Sequence, residues 1–331
     1  MDKLTPLIEV DCPVCSSKSS AKLFYTHDYV FGSREETFAV QRCKDCGVGY
    51  LSPRPVAAAM PKYYPEAFYW SWEGAGGKMD WSSILEKRGE QLRGKAEWLK
   101  GITPGALLDI GAQKGEFLWF MQKQGWSVEG IEMDSSVPNP GDLPIRYGDF
   151  LQMDFAEKKY DVITFWAVLE HVYEPKPFIE KAAQLLKPNG RLVVLVTNLN
   201  SIQSRFYQAD DYPRHLTIFT HSSLKRLCED HGLTLARSST DQKIFGGSLA
   251  GGAVYIVKRL GGYRAGEALA EWKQQIDPDL FWCKWRGQNS LLMKMISRAD
   301  RLITWPVEKV LDRMGYGLTL TITAHKSSDN E

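Results

Sequence analysis

No run of about 18 or more uninterrupted apolar residues occurs in this 331-residue chain, so no spanning helix is expected. The start, MDKLTPLIEVDCPVC, has no apolar h-region and no small-residue cleavage site, and the expected compartment is the cytoplasm. Charge of one sign is missing too. Lys+Arg 41 against Asp+Glu 40 leaves +1, which argues against a chain built mainly to grip duplex nucleic acid. Internal repeats and low-complexity tracts are absent, and the 44% hydrophobic content supports at least one large core.

Cysteine is scarce, but four of the six form two C-x-x-C pairs. Cys12 and Cys15 make the knuckle CPVC, and Cys43 and Cys46 make CKDC. In a reducing compartment this pattern points to metal before disulfide. Four thiolates suit a closed tetrahedral Zn²⁺ site of structural type, with no open position for catalysis, and iron is the minor alternative. A module of this size has a small core, so metal binding would supply folding energy.

The hydrophobic pattern divides the chain. Residues 1–60 read as a zinc-binding module ending in LSPRP, and 61–100 as a linker and covering helix. Residues 101–245 alternate short apolar strands (ALLDIG, SVEGIEMD, PIRYGD, YDVITFWAV, RLVVLVT) with helical runs (EFLWFMQKQG, PFIEKAAQLLK, SSLKRLCEDHG). That alternation predicts an α/β, doubly wound, Rossmann-like sheet covered on both faces. Residues 246–331 read as a helical insertion followed by a final strand, LTLTITAH, that completes the sheet.

Chemistry-bearing residues fall at the predicted strand ends. LLDIGAQKGEFL is a strand ending at Asp109, a turn with Gly111 and Gly115, and a helix start whose N–H groups face a ligand. Glu132, at the next strand end, is placed to accept from both hydroxyls of a ribose. Asp149, after the third strand, is placed to read an exocyclic amine on adenine. Phe165 and Trp166 either pack beside the cofactor or belong to the core. Gln113 either contacts the cofactor's carboxylate or marks a lost site.

With these motifs in chain order, the sequence resembles the class I S-adenosylmethionine-dependent methyltransferases, whose motif is D-x-G-x-G-x-G. In DIGAQKG, Gln113 stands where the middle glycine is usual. The resemblance runs on through YDVITFWAVLEHVYEP, LLKPNGRLVVLVTN and YPRHLTIFTHSSLKRLCEDHG. It implies S-adenosylmethionine as cofactor, with Ala112, Met133 and Phe150 joining Asp109, Gly111, Gln113, Gly115, Glu132, Asp149, Phe165 and Trp166 around it. Upstream, CPVC…CKDCGVGYLSPRP is similar to the zinc module of bacterial methyltransferases that modify sugars. This implies a small-molecule acceptor: a sugar, nucleotide sugar or glycan precursor.

A sulfonium methyl needs no activation, so the enzyme aligns a nucleophile and takes its proton. Glu170 and His171 in AVLEHV, and His215 in YPRHLT, are the candidate catalytic residues. The alternatives are a packing role for His171 and, for His215, a tie between its loop and the zinc module. His221 reads as a cap of the following helix. The apolar C-terminal pattern LLMKMISRADRLITWPVEKVLDRMG fits core, a homodimer face or peripheral contact with a membrane. RNA methylation and a catalytically silent scaffold are the competing functions.

Overall fold

The computed structural model describes residues 5–28, 36–64, 81–201, 204–205, 210–241, 244, 302 and 306–326. The cysteine-bearing segment contributes five strands: β1 (Leu7–Ile8), β2 (Ser20–Thr26), β3 (Phe38–Cys43), β4 (Gly49–Leu51) and β5 (Arg54–Pro55). β2, β3 and β4 form an antiparallel meander in which Ser20 faces Cys43 and Arg42 faces Gly49. β1 pairs with β5 separately. Each C-x-x-C pair lies in a tight turn at one end of this meander. The N–H of Ser16 donates to the Cys12 carbonyl at 2.9 Å, and that of Gly47 to the Cys43 carbonyl at 3.1 Å. Ser16 (φ 60) and Gly47 (φ 77) both take the left-handed conformation that closes the turn.

Helix α1 (Trp81–Ala96) and a single 3-10 turn (Glu97–Leu99) lead into β6 (Ala106–Ile110). There follow α2 (Glu116–Gln122), β7 (Ser127–Glu132), β8 (Ile145–Tyr147), β9 (Tyr160–Trp166), α3 (Pro175–Leu185) and β10 (Leu186–Thr197). The remaining elements are β11 (Thr217–Ile218), α4 (His221–Glu229), β12 (Leu233–Ser239) and β13 (Thr319–Lys326). α3 opens on Pro175, where a missing N–H costs nothing. α4 opens on a reciprocal cap between Thr220 and Ser223, so Thr220 is the cap and His221 the first helical residue.

Seven strands form one sheet in the order β12-β13-β10-β9-β6-β7-β8. β8, β7, β6, β9 and β10 run parallel, as the alternation of strands and helices predicts. β13 is antiparallel to both neighbours, β10 and β12. Chain progress reverses between β6 and β9: β7 and β8 extend the sheet one way, β10 the other. A crevice opens at the carboxyl ends of the strands at such a reversal.

Periodicity alone does not reveal how closely the N-terminal segment joins this sheet. β11, some 166 residues further along, pairs with β4 and completes a four-stranded sheet. Val14, Val48 and Tyr50 share one continuous apolar core with Leu108, Phe165, Leu224 and Ile322. Arg214, fully buried, grips both oxygens of Asp28 at 2.9 Å, the Tyr63 carbonyl at 2.8 Å and Asp211 at 2.7 Å. Arg54 donates to the Tyr173 carbonyl at 2.9 Å, and the Tyr173 hydroxyl returns a bond to the Pro55 carbonyl at 3.0 Å.

Most of the expected insertion over 246–331 lies outside the described residues; 306–313 are helical and end near Met314, before β13. No helix among the described residues is long and apolar enough to cross a membrane.

Removing a partner from a buried ion pair strands the other charge. Asp28→Ala is therefore expected to lower stability by about 3 kcal/mol or more in urea denaturation. Glu229→Ala, which breaks only the exposed pair with Lys225, is expected to cost roughly 0.5 kcal/mol or less.

Candidate functional site

The crevice begins at the seam between the central strands. Asp109, in β6, accepts a 2.6 Å hydrogen bond from Thr164, its register partner on β9. Burial pushes the Asp109 carboxyl up to about 6, against the opposing charge of Lys95. After β6 the chain turns through Gly111 (φ 73), Gln113 (φ 49) and Gly115 (φ 80). The N–H groups of Gly111 and Ala112 both donate to the Ile131 carbonyl, at 2.8 and 2.9 Å, binding the turn to β7. A Cβ on Gly111 would come within 2.6 Å of Val168, and one on Gly115 within 2.5 Å of Leu143. Only glycine fits either place.

Glu132 ends β7, and its carboxylate bridges two loops. It accepts from the N–H of Gln113 at 2.8 Å and from that of Asp134 at 3.2 Å. Burial raises its pKa above the ordinary carboxylate value. Beside it, Met133 is 62% exposed, a large apolar side chain at the mouth of the crevice. Asp149 follows β8 and accepts from the Leu151 N–H at 2.9 Å, shaping its own turn. Phe150 and Phe165 are placed elsewhere: both are buried in an aromatic stack with Phe155 and Phe178 beneath the loops. Trp166 packs edge to face on Phe117 at 5.3 Å, and its indole N–H is buried without an acceptor.

The second half of the site follows β9. Glu170, His171 and His215 bring a carboxylate oxygen and two ring nitrogens within 4.8 Å of one another. Glu170 is fully buried, and neither carboxylate oxygen has a hydrogen-bond partner. Its backbone carbonyl is used, accepting from Leu216 at 2.7 Å and Thr217 at 3.2 Å, which holds the His215 loop against it. Burial pushes the Glu170 carboxyl up to about 7, with His215 opposing. Burial, reinforced by the charge of His215, drives His171 down to about 3, so it is neutral at pH 7. For His215 burial works against the charge, but Asp210, bonded to Nδ1 at 2.5 Å, overcomes it and lifts the group to about 9. The two rings meet edge to face at 4.5 Å.

Thus Glu170, His171 and His215 come together, and Gly111, Ala112, Gln113, Gly115 and Glu132 form a second group across the seam. Motif reading misses three contributors. Asp210 carries a signal, being an acid five residues before a histidine in the loop DDYPRH. Tyr64, whose hydroxyl meets His171 Nδ1 at 3.1 Å, is one of many tyrosines in an aromatic run. Lys95 lies in a helix with no motif of its own.

The cysteines form a further cluster. Sγ of Cys12 lies 3.6 Å from that of Cys46, and Sγ of Cys15 lies 3.5 Å from that of Cys43. Zn–S bonds of about 2.3 Å set tetrahedral edges of about 3.8 Å, close to both spacings.

Residues 85–238 match the model of a family described as a methyltransferase domain. The chain is 33% identical over 160 residues to a ubiquinone biosynthesis O-methyltransferase of Pasteurella multocida, covering 43% of this chain and 64% of that protein. It is 32% identical over 142 residues to a protein of the same description from Histophilus somni, covering 39% and 59%. The chain thus spans less than two thirds of either relative. A S-adenosylmethionine-dependent methyltransferase of Archaeoglobus fulgidus superposes with a TM-score of 0.44 at 17% identity, covering 75% of this chain and 95% of that one. The magnesium protoporphyrin IX methyltransferase of Synechocystis, with S-adenosylhomocysteine bound, gives 0.44 at 17%, covering 57% and 95%. The glycine turn and the acid that ends the second strand of its half of the sheet both lie within residues 85–238, the stretch that matches the methyltransferase-domain model.

Proposed function

We propose that the protein transfers a methyl group from S-adenosylmethionine to a small polar acceptor of the sugar, nucleotide-sugar or glycan-precursor class. The observation that carries this reading is the Glu170–His171–His215 cluster, in which Glu170 and His171 follow β9 at the strand-order reversal and His215, just before β11, joins them. A crevice with a nucleoside cradle on one wall and the His171 ring on the other, Glu170 buried behind it, suits a donor facing a hydroxyl-rich acceptor. The relatives' description as O-methyltransferases supports oxygen as the receiving atom.

In this reading Glu132 turns to the ribose hydroxyls, Met133 and Asp149 flank the adenine, and the turn from Gly111 through Ala112 and Gln113 to Gly115 lies along the methionine end. Trp166 walls the sulfonium, while Phe150 and Phe165 support the loops from below. The donor supplies an electrophilic methyl on sulfur. The protein aligns the acceptor and takes its proton. His171, neutral at pH 7, is the proton acceptor, and Tyr64 fixes its ring. His215, charged through Asp210, binds the acceptor's polar groups and steadies developing negative charge. We also assign Zn²⁺ to Cys12, Cys15, Cys43 and Cys46, a closed thiolate set that holds the meander and takes no part in the transfer.

Calorimetric titration of the metal-loaded protein is expected to give micromolar binding of S-adenosylmethionine and S-adenosylhomocysteine, lost in Gly111→Arg. Absence of binding to a well-folded sample would overturn the reading and favour a silent scaffold. His171→Ala is expected to lower kcat at least about a hundredfold with donor affinity unchanged. Asp210→Asn removes the anion that holds the proton on His215. An alkaline limb of the rate profile near pH 9 is therefore expected to move to lower pH by one unit or more. Elemental analysis is expected to find one zinc per chain, and chelation to unfold the N-terminal segment first, seen by loss of amide protection over residues 36–51.

A further inference from the structure

Two of the described arginines are buried, and their surroundings differ. Arg214 spends its guanidinium on two carboxylates, those of Asp28 and Asp211. Arg54, in β5, is 7% exposed and makes no ion pair among the described residues. Its Nη1 donates to the Tyr173 carbonyl at 2.9 Å, and its guanidinium carbon lies 4.8 Å from the centre of the Tyr173 ring. Nε is buried with no hydrogen-bond partner, and Nη2 makes no hydrogen bond among the described residues. Nε and Nη2 together are the edge through which a guanidinium donates two parallel N–H bonds. Burial pulls the Arg54 pKa below the ordinary arginine value; Tyr173 and Glu174 oppose it, and Glu174 is exposed.

A buried charge without a counterion is costly, and a buried donor without an acceptor adds to the cost. An anion on the open edge of Arg54 removes both. The Tyr173 carbonyl stands two residues after His171, a stretch of chain that spans at most about 7 Å. The Tyr173 hydroxyl ties the same loop to the Pro55 carbonyl at 3.0 Å, and Tyr64 reaches His171 at 3.1 Å. Arg54 and Tyr64, ten residues apart, thus both hold the loop that carries His171. Resting on the acceptor reading above, we propose that the open edge of Arg54 binds a phosphate group of the acceptor, so that the substrate is a sugar phosphate or a nucleotide sugar and not an uncharged sugar. Two oxygens of one phosphate match the two parallel donors of that edge. Scarce water around the guanidinium leaves the pair weakly screened. Held by its phosphate at Arg54, the acceptor has its receiving oxygen oriented toward His171.

The test is calorimetric titration of the metal-loaded protein, first with S-adenosylhomocysteine and then, once saturated, with inorganic phosphate and with pyrophosphate. Phosphate stands for a sugar phosphate and pyrophosphate for the diphosphate of a nucleotide sugar, so the tighter of the two names the source. Arg54→Met is expected to weaken that anion about tenfold or more with S-adenosylhomocysteine affinity unchanged. Arg54→Lys, which keeps the charge and loses the fork, is expected to fall between the two, and it carries the test where Arg54→Met does not fold. Absence of anion binding to the wild-type protein, or equal affinity in the variants, would overturn the proposal. So would a loss of S-adenosylhomocysteine affinity in step with that of the anion, which would mark Arg54 as a support of the loop alone. Failure of the wild-type protein to bind S-adenosylhomocysteine, seen before any anion is added, would instead remove the methyl-transfer reading on which the proposal rests.

Discussion

The hydrogen bond between Thr164 and Asp109 ties together the two strands at which the sheet changes direction, and the polar machinery is arranged around that seam. A carboxyl group there is costly, since burial resists its charge. Its neighbours repay that cost: Thr164 donates to it, and Lys95 places a positive charge close by. The seam fixes where β6 ends, which sets the position of the glycine turn. The turn's N–H groups in turn pin β7, so that Glu132 arrives at the same level. That buried polar contact thus stands at the root of both the glycine turn and the loop that follows β7.

The opposite wall depends on the N-terminal segment. His215 follows directly on Arg214, whose guanidinium is spent on Asp28, Asp211 and the Tyr63 carbonyl. The next residue after Tyr63 is Tyr64, the partner of His171. The two histidines are therefore positioned through contacts that originate in the cysteine-bearing segment and its continuation, although neither histidine is near a cysteine in sequence. β11 pairs with β4 and not with the large sheet, and beside it the His215 loop is held on Glu170, whose carbonyl receives the Leu216 and Thr217 N–H groups.

Much of this was legible from residue order. The strands ALLDI, SVEGIE and YDVITFW and the helix PFIEKAAQL lie where apolar runs and periodicity place them. Those signals are local, as is the C-x-x-C spacing. The antiparallel entry of β13, the pairing of β11 with β4 and the Arg214–Asp28 bond join residues far apart in sequence, and nothing in either partner's neighbourhood announces the other. The same limit explains the residues at the site. Glycines and strand-end acids betray themselves by position, whereas Phe150 and Phe165 look alike from sequence whether they line a ligand or fill a core. Lys95 is the sharper example: a lysine in a polar helix reads as solvated until the fold directs it between two aromatic rings.

The order of strands in space also governs the order in which the molecule is completed on the ribosome. β4 is made early but lacks its partner on one edge until Thr217 and Ile218 emerge. β12 touches the large sheet only through β13, which is synthesised some eighty residues later and slots between β12 and β10. A nascent chain therefore carries an open strand edge for most of its synthesis, first that of β4 and then that of β10, each a template for pairing with the wrong chain. Burial of both edges falls to a two-residue strand and an eight-residue one, so the native sheet becomes continuous only after Lys326 has left the exit tunnel.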